Sequence, residues 1–312
     1  MDRRQPSFSI IIPTYRRPHM LGLCLEAITR LNCSHDELEV IVVDDDAFNE
    51  KADSASGLSG GHCCETVERV VSHYRSRLDI VLVRQRNAGP AAARNAGAAR
   101  ARGLFLAFTD DDCLAHPEWL RILADRLKEA PDCAVGGFTI NALSENPYAV
   151  VSQRLIDYLY ASYNVDAEQA RFLTSNNFAV RREHFLALGG FDSSFSRAGG
   201  EDREFCHRWL CRGHRLRYCQ EACVYHFPTP TLRAFCRQQF NYGRGSYRYH
   251  LKLSEKSKKH RGRESWIFYV DLLMSSLRSP CKSPRTAIAL AMLIFLSQGA
   301  NVCGRLLARM RD

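Results

Sequence analysis

Residues 104–113 read LFLAFTDDDC, so five apolar side chains and one threonine are followed by three consecutive aspartates. An apolar run of this length, followed by polar residues, is typical of a strand that is buried inside a sheet. Adjacent carboxylates repel one another, and a cation or a ligand rich in hydrogen-bond donors must offset that repulsion. The stretch therefore predicts a buried strand that ends at a binding site.

Around this stretch, apolar runs alternate along the chain with helical patterns. Such alternation predicts an α/β fold with a doubly wound, mainly parallel sheet and right-handed crossovers. Ligands of such sheets gather at the carboxyl ends of the strands. Pro13-Thr14-Tyr15, Asp44-Asp45-Asp46 and Asp110-Asp111-Asp112 should all lie at that edge. The predicted strands, buried on both faces, are residues 8–12, 38–43, 80–83 and 104–108, and the predicted helices are residues 18–31, 64–75 and 90–102.

The second half of the predicted catalytic region ends near Pro228 and Pro230. We expect residues 1–228 to form one catalytic domain and residues 229–312 to form a helical extension. Residues 140–170 carry no clear pattern, and residues 54–61 resemble a mobile loop. The remaining predicted elements are helices at residues 117–129, 182–188 and 203–211 and strands at residues 133–137 and 173–180.

Cysteine usage favours a reducing compartment. The chain has 312 residues and 13 cysteines, and it begins Met-Asp-Arg-Arg without an apolar signal region. Because disulfide frameworks belong to small secreted proteins, we expect a cytoplasmic protein with reduced thiols. No CxxC pair occurs in the sequence, which argues against a zinc site.

The C-terminal part of the sequence is basic and then apolar. Residues 233–263 contain ten Lys or Arg against Glu255, and apolar segments follow at residues 266–277 and 287–296. The first segment is too short for the roughly 20 residues that span a bilayer, and the second, which can be extended to Cys303, is marginal. We expect a helix that lies on the anionic cytosolic face of a membrane or packs onto the catalytic domain, with a true membrane span as the third alternative. No recognition motif supports nucleic-acid binding.

Several polar groups have the chemistry of a diphosphate site. Asp110 and Asp112 can point the same way and share a hard cation, although a solvated turn would also accommodate them. Arg94 lies near the start of a predicted helix that follows a glycine turn. Its guanidinium could position a phosphate or an acid, or it could be the solvated side chain of an ordinary packing helix. The pair Glu201-Asp202 could supply a general base or merely cap a helix.

Together these motifs resemble the family 2 glycosyltransferases of the GT-A fold. The resemblance covers roughly residues 8–228 and continues more loosely through residues 237–245. The motifs, in the order of the family, are Ile11-Ile12-Pro13-Thr14-Tyr15, Val42-Val43-Asp44-Asp45, Asn87-Ala88-Gly89 with Ala93-Arg94-Asn95, Phe108-Thr109-Asp110-Asp111-Asp112, and Gly189-Gly190-Phe191-Asp192 followed by Gly200-Glu201-Asp202.

The resemblance implies a role for each matching position on the nucleotide side. It implies that Asp45, and with it Asp44, reads the base. Arg94 would position the acidic part of the donor site, and Asp111 would orient its loop. The residues expected to shape the nucleoside pocket are Pro13, Thr14 and Tyr15.

The resemblance also implies the metal and catalytic positions. Asp110 would approach the ribose and the metal, and Asp112 would bind Mg²⁺ or Mn²⁺. His226 could reach the metal or the diphosphate, or it could simply end a strand. Asp202 is the expected catalytic base, with Glu201 as its rival.

The function implied is a metal-dependent, inverting transfer of a sugar from a nucleoside diphosphate to a hydroxyl acceptor. A UDP-sugar is the favoured donor, and the acceptor is a glycan, a lipid-linked molecule or a small hydroxyl compound. One alternative is an inactive nucleotide-sugar or membrane-surface binding module. A haloacid dehalogenase-type phosphatase also has an Asp-x-Asp after a strand, but it expects Thr or Val where Leu114 stands.

Overall fold

The computed structural model describes residues 5–34, 37–46, 66–228, 230–256, 274 and 284–311. The strands are β1 Phe8–Thr14, β2 Leu38–Asp44, β3 Ile80–Arg84, β4 Phe105–Thr109, β5 Cys113–Ala115, β6 Cys133–Asn141, β7 Asn177–Arg181 and β8 Arg215–His226. The helices are α1 Pro18–Ile28, α2 Val67–Tyr74, α3 Pro90–Arg100, α4 Trp119–Glu129, α5 Pro147–Tyr163, α6 Arg182–Ala187, α7 Glu201–Cys211, α8 Leu232–Lys256 and α9 Pro284–Arg309, with a short 3₁₀ helix at Ala167–Gln169.

The strands form one mixed sheet in the order β3-β2-β1-β4-β7-β6-β8-β5. The strands β3, β2, β1 and β4 are parallel to one another. In the other half, β7 runs antiparallel to β4 and β6, and β5 runs antiparallel to β8. β6 and β8 are parallel to each other. The α/β class is confirmed, and the four-stranded parallel part is the half in which the sequence alternates between strand and helix.

Helices cover both faces of the sheet. The apolar side chains of β1, β2 and β4 are fully buried, which is why these strands read as continuous apolar runs. One core cluster packs α1, α2 and α4 against the sheet, and the other packs α3, α6 and α7 against the opposite face. β3 is the exception to the predicted two-sided burial, because it is an edge strand and Val81 is exposed.

Several predicted boundaries differ from those in the structure. Helix α7 begins at Glu201 rather than at residue 203, and strand β7 begins at Asn177 rather than at residue 173. The region without a sequence pattern contains α5, which begins at Pro147 with Asn146 as its N-cap. The predicted loop at residues 54–61 lies outside the described residues, and so do nearly all of residues 266–277.

The two C-terminal helices α8 and α9 pack closely against each other. A Cβ atom added at Gly243 would collide with the Asn301 carbonyl, and one at Gly304 would collide with the Phe240 carbonyl. The absence of side chains at these two positions therefore lets the helix backbones approach each other. The buried face of α9 includes Leu290 and Ile294.

Asn177 ties together the irregular part of the sheet. Its carboxamide oxygen accepts a 2.8 Å hydrogen bond from the Trp119 indole. Its amide nitrogen donates to the carbonyls of Phe138 at 3.0 Å and Ala222 at 2.9 Å, beside the register shift between Gly137 and Phe138. The side chain is fully buried, so it satisfies three polar groups that water does not reach.

We predict that Asn177→Leu lowers the free energy of unfolding by about 2–4 kcal/mol, because the indole and both carbonyls lose their partner inside the protein. Urea unfolding measures this loss. The control is Asn176→Leu, since the Asn176 carboxamide makes only a 3.4 Å contact with Thr139 and a weak contact with a thiol. Equal unfolding midpoints for the two variants would contradict this role.

Candidate active site

The polar ends of β1, β2 and β4 lie side by side at one edge of the sheet. β1 pairs with both β2 and β4 in parallel, so Thr14 and Asp44, which end β1 and β2, and Asp110, which follows β4, lie at the ends of neighbouring strands. The sequence-predicted residues of these three strand ends are thus brought together. Their carboxylates are compensated by cationic side chains from α3 and from the turn before α1.

Asp111 holds this turn and is fully buried. The Thr14 hydroxyl donates to its carboxylate at 2.7 Å, and the Arg17 guanidinium approaches it at 2.5 Å. Burial raises the pKa of Asp111 to about 7, although the charge of Arg17 acts in the opposite direction. These contacts support a structural role for Asp111 in the β1–α1 turn rather than direct contact with a ligand.

Asp112 lies between two cationic groups. Its Oδ2 is 2.5 Å from Arg17 Nη1, and its Oδ1 is 3.5 Å from His226 Nε2. Burial opposes ionisation of Asp112, but His226 and Arg17 outweigh it and lower the pKa to about 2. Burial also lowers the pKa of His226, but Asp112 more than offsets this and the net pKa is raised. Asp112 is therefore held in its charged form.

The side chains beside Asp112 fit a hard divalent cation. Ligand atoms of Asp112, Cys113 and His226 lie within 4.8 Å of one another. Carboxylate oxygen and imidazole nitrogen both suit Mn²⁺, whereas Mg²⁺ prefers oxygen. Burial raises the pKa of the Cys113 thiol well above its ordinary value, so this thiol stays protonated and is a poor ligand. The donor set that fits is therefore Asp112 with His226.

Arg94 connects the aspartate cluster to the start of α7. Its Nη2 donates to Asp110 at 2.6 Å, and its Nη1 lies 3.8 Å from Glu201. The residue is only 3% exposed. Its Nε and Nη1 have no hydrogen-bond partner within the described part of the chain. A buried guanidinium with unused donors can accept further anionic oxygens as well as fix the carboxylates around it.

Glu201 and Asp202 occupy the first turn of α7 and differ in their surroundings. Glu201 is 3% exposed and accepts the Gly199 amide at 2.6 Å. Burial and the charge of Asp202 raise the pKa of Glu201 to about 8. Burial also raises the pKa of Asp202, while Arg94 and Ser175 lower it. One carboxylate oxygen of Asp202 lacks a partner among the described residues, so Asp202 is freer to take a proton.

Asp44, which ends β2, and Asp45, which follows it, also have different surroundings. Asp45 is 4% exposed, and its carboxylate accepts the backbone amides of Ala88 and Gly89, each at 2.9 Å. Gln85 adds a further donor at 2.6 Å. Asp45 therefore anchors the loop before α3. Asp44 is half-buried, and its carboxylate accepts the Asp46 amide at 3.2 Å, so Asp44 has more capacity left for a ligand.

Tyr15 supplies an exposed aromatic ring beside these acids. It is 42% exposed, and the Arg16 guanidinium lies 5.1 Å from the ring centroid. Pro13 and Thr14 are buried in β1 and set the direction of the turn. The predicted pocket residues thus divide into one exposed ring and two buried supports.

Comparison with known families decides the affiliation of the chain. The model for "Glycosyl transferase family 2" matches residues 9–189, which is more than half of the chain. The chain belongs to glycosyltransferase family 2. A second model, "Glycosyl transferase family group 2", matches residues 105–301 and so includes α8 and most of α9.

Curated relatives of this family 2 chain align over most of its length. Chondroitin synthase of Escherichia coli is 25% identical over 255 residues, which is 71% of this chain and 35% of that protein. Two validoxylamine A glucosyltransferases of Streptomyces hygroscopicus follow. The chain spans from about a third to about half the length of these three relatives.

Solved structures confirm the GT-A fold. A mannosyltransferase from Pyrobaculum calidifontis, in complex with GDP-Man and Mn²⁺, has a TM-score of 0.64 at 17% identity, over 99% of this chain and 88% of that one. The S. aureus TarS fragment 1–349 in complex with UDP-GlcNAc has a TM-score of 0.52 at 15% identity, over 97% and 90% of the two chains.

Sequence analysis did not identify Arg17 at this family 2 site, and it included Tyr242 only within residues 237–245, where the resemblance is loose. Arg17 pairs with Asp111 and Asp112, and its only sequence signal is its place directly after Tyr15-Arg16. Tyr242 of α8 lies against Gly199, and burial together with the charges of Glu201 and Asp202 raises its pKa. A contact made by an element forty residues downstream leaves no local pattern in the sequence.

We predict that Arg17→Gln destabilises the protein by about 1–3 kcal/mol, because Asp111 is left buried without its main counter-charge, while the partial exposure of Arg17 limits the loss. Thermal unfolding measures the change. Arg16→Gln is the matched control, since Arg16 pairs with Asp46 at the surface. A loss in Arg17→Gln no larger than that of the control would contradict the assigned role.

Proposed function

We propose that this protein transfers a sugar from a nucleoside diphosphate sugar to a hydroxyl acceptor, with inversion at the anomeric carbon. The observation that carries the proposal is the pairing of Asp112 and His226 at the strand edge, 3.5 Å apart, next to Asp110, which Arg94 connects to Glu201 of α7. The bound GDP-Man and UDP-GlcNAc of the structural neighbours support a nucleotide-sugar donor. We retain a UDP-sugar as the favoured donor.

On the donor side, the exposed ring of Tyr15 would stack on the base, and Asp44 would accept hydrogen bonds from it. Asp110, oriented by Arg94, would meet the ribose hydroxyls. Asp112 and His226 would hold Mg²⁺ or Mn²⁺. Asp110, two residues before Asp112, would be a further ligand. When bound, the cation would neutralise charge on the diphosphate leaving group.

On the acceptor side, Asp202 would take the proton from the attacking hydroxyl. Burial raises the pKa of Asp202, and Arg94 and Ser175 offset this only in part, so the carboxylate has a greater affinity for a proton than an exposed aspartate has. Glu201 is held by the Gly199 amide and has a pKa of about 8, which suits a protonated support better than a base. Direct displacement of the diphosphate by the acceptor oxygen would invert the anomeric carbon.

We expect two variants to distinguish donor binding from sugar transfer. Asp112→Asn should remove the Mn²⁺-dependent rise in melting temperature that a matching UDP-, GDP- or dTDP-sugar produces. Asp202→Asn should keep that rise but release nucleoside diphosphate about 10²–10⁴-fold more slowly. Asp125→Asn, at an exposed site on α4, is the control.

The competing function is an inactive nucleotide-sugar or membrane-surface binding module. It predicts donor binding without turnover in the unaltered protein. Full turnover in Asp112→Asn or Asp202→Asn would instead refute the role proposed for that residue. No thermal response to any of the nucleotide sugars would refute the donor site itself.

We further propose that residues 1–228 are the catalytic part and residues 229–312 an extension that contacts the cytosolic face of a membrane. α9 carries a 25-residue segment, Arg285–Arg309, that is long and apolar enough to cross a membrane by length and composition alone. Because Leu290 and Ile294 are buried against the protein, a helix lying on the membrane surface suits this segment better. The exposed apolar side chains recur at intervals of three, four or seven residues, which places them on one face of the helix: Ile288, Met292, Phe295, Val302, Leu306 and Met310.

We predict that replacing Met292 and Phe295 together by Ser abolishes cosedimentation with vesicles that contain anionic lipid, because these side chains are 68% and 73% exposed. The control is Val165→Ser, which removes an 87% exposed side chain elsewhere on the surface. Unchanged vesicle binding by the double variant would contradict a surface role for α9.

A further inference from the structure

A cavity lies beside helix α7, and none of the aspartates that follow β4 lines it. Its volume is about 730 Å³, and it is bounded by the end of α5, the 3₁₀ helix, α7 and α8. This volume falls within the usual range for small-molecule sites. The side chains that give the cavity its chemistry are Tyr163, Arg171, Arg203, His207, Arg215 and Tyr249.

The charge of this cavity is strongly positive. Arg171, Arg203 and Arg215 reach it from three separate parts of the chain. Among its described lining residues, Glu168 is the acidic one, and it lies 2.6 Å from Arg217 in an ion pair. The cavity therefore has three guanidinium groups, and its one carboxylate is already paired. Guanidinium groups favour the planar oxyanions of carboxylates and phosphates.

Two aromatic rings hold one of these guanidinium groups in place. The Arg203 guanidinium lies 5.2 Å from the centroid of Tyr163 and 5.1 Å from that of Tyr249. Its Nη2 also donates to the Tyr163 hydroxyl at 2.7 Å. Fixing the charge in advance lowers the entropic cost of binding a ligand. The tyrosine hydroxyls and His207 add polar groups suited to sugar hydroxyls.

The position of the cavity relates it to the reaction. Arg203 and His207 lie four residues apart on one face of α7, and Arg203 directly follows Asp202. The cavity and the proposed base are therefore fixed by the same helix, while Asp112 and His226 are not part of the cavity lining. A ligand in the cavity would leave the donor edge free.

We propose that this cavity binds a saccharide that carries a phosphate or a carboxylate, and that this saccharide belongs to the acceptor. The assignment to the acceptor rests on the proposed transferase function, whereas the binding itself does not. The oxyanion would meet Arg171, Arg203 and Arg215, and the sugar would occupy the space beside Tyr163 and Tyr249.

The experiment is a set of calorimetric titrations with glucose 6-phosphate, glucuronic acid and glucose. At least one of the two anionic sugars should bind at least tenfold more tightly than glucose, and the stronger of the two identifies the oxyanion. Replacing Arg171 and Arg215 together by Gln should weaken that binding at least tenfold. Arg212→Gln is the matched control, because Arg212 is exposed on the same helix end and does not line the cavity.

The outcomes separate the two proposals. Equal binding of glucose, no binding of either anionic sugar, or no effect of the double replacement would overturn the cavity assignment. Displacement of the anionic sugar by UDP with Mn²⁺ would also overturn it, because donor and acceptor must be bound together. An anionic sugar that binds, in a protein that responds to no nucleotide sugar, would refute the transferase function and leave the cavity's ligand in place.

Discussion

The aspartate cluster at the end of β4 can exist because two arginines compensate it from opposite sides. Arg94 reaches Asp110 at 2.6 Å from inside the protein, and Arg17 reaches Asp111 and Asp112 at 2.5 Å from the β1–α1 turn. Without them, three adjacent carboxylates at the end of a buried strand would repel one another and resist burial. The positions of α1, α3 and α7 around the sheet edge all depend on this compensation.

The same compensation sets up the chemistry of the site. Because Arg94 also approaches Glu201, helix α7 is fixed relative to the strand edge. His226 reaches Asp112 because β8 pairs with β5 in a register that places it opposite Cys113. The donor edge and the acidic pair of α7 are thus two parts of one charge network, and the cavity beside Arg203 extends from the far side of the same helix.

Much of the fold was predictable from local pattern. The runs that became β1, β2 and β4 are apolar because both of their faces are buried, and the helices between them have clear start signals such as Pro18 and Pro90. The antiparallel half was less predictable, since β6 and β8 pair across an irregular register and are held by Asn177. α5 was not predicted because its hydrophobic pattern is weak and its buried side chains pack against α8 and α9.

Within the site, the sequence predicted which acidic residues lie close together, but not which of two adjacent acids is bound by the backbone and which is left for a ligand. Asp44 and Asp45 are adjacent and chemically alike, yet the loop before α3 occupies only the carboxylate of Asp45. Glu201 and Asp202 differ because the Gly199 amide bonds one and not the other. Arg17 was not identified, and the contact of Tyr242 with Gly199 was not predicted, because the partners of both residues lie far away along the chain.

The most direct test of the central claim is the anomalous scattering of Mn²⁺ in crystals grown with a nucleoside diphosphate sugar. The account predicts one strong peak within coordination distance of the Asp112 carboxylate, with His226 beside it and the diphosphate on the same ion. A peak at another site, or a nucleotide bound away from the ends of β1, β2 and β4, would contradict it.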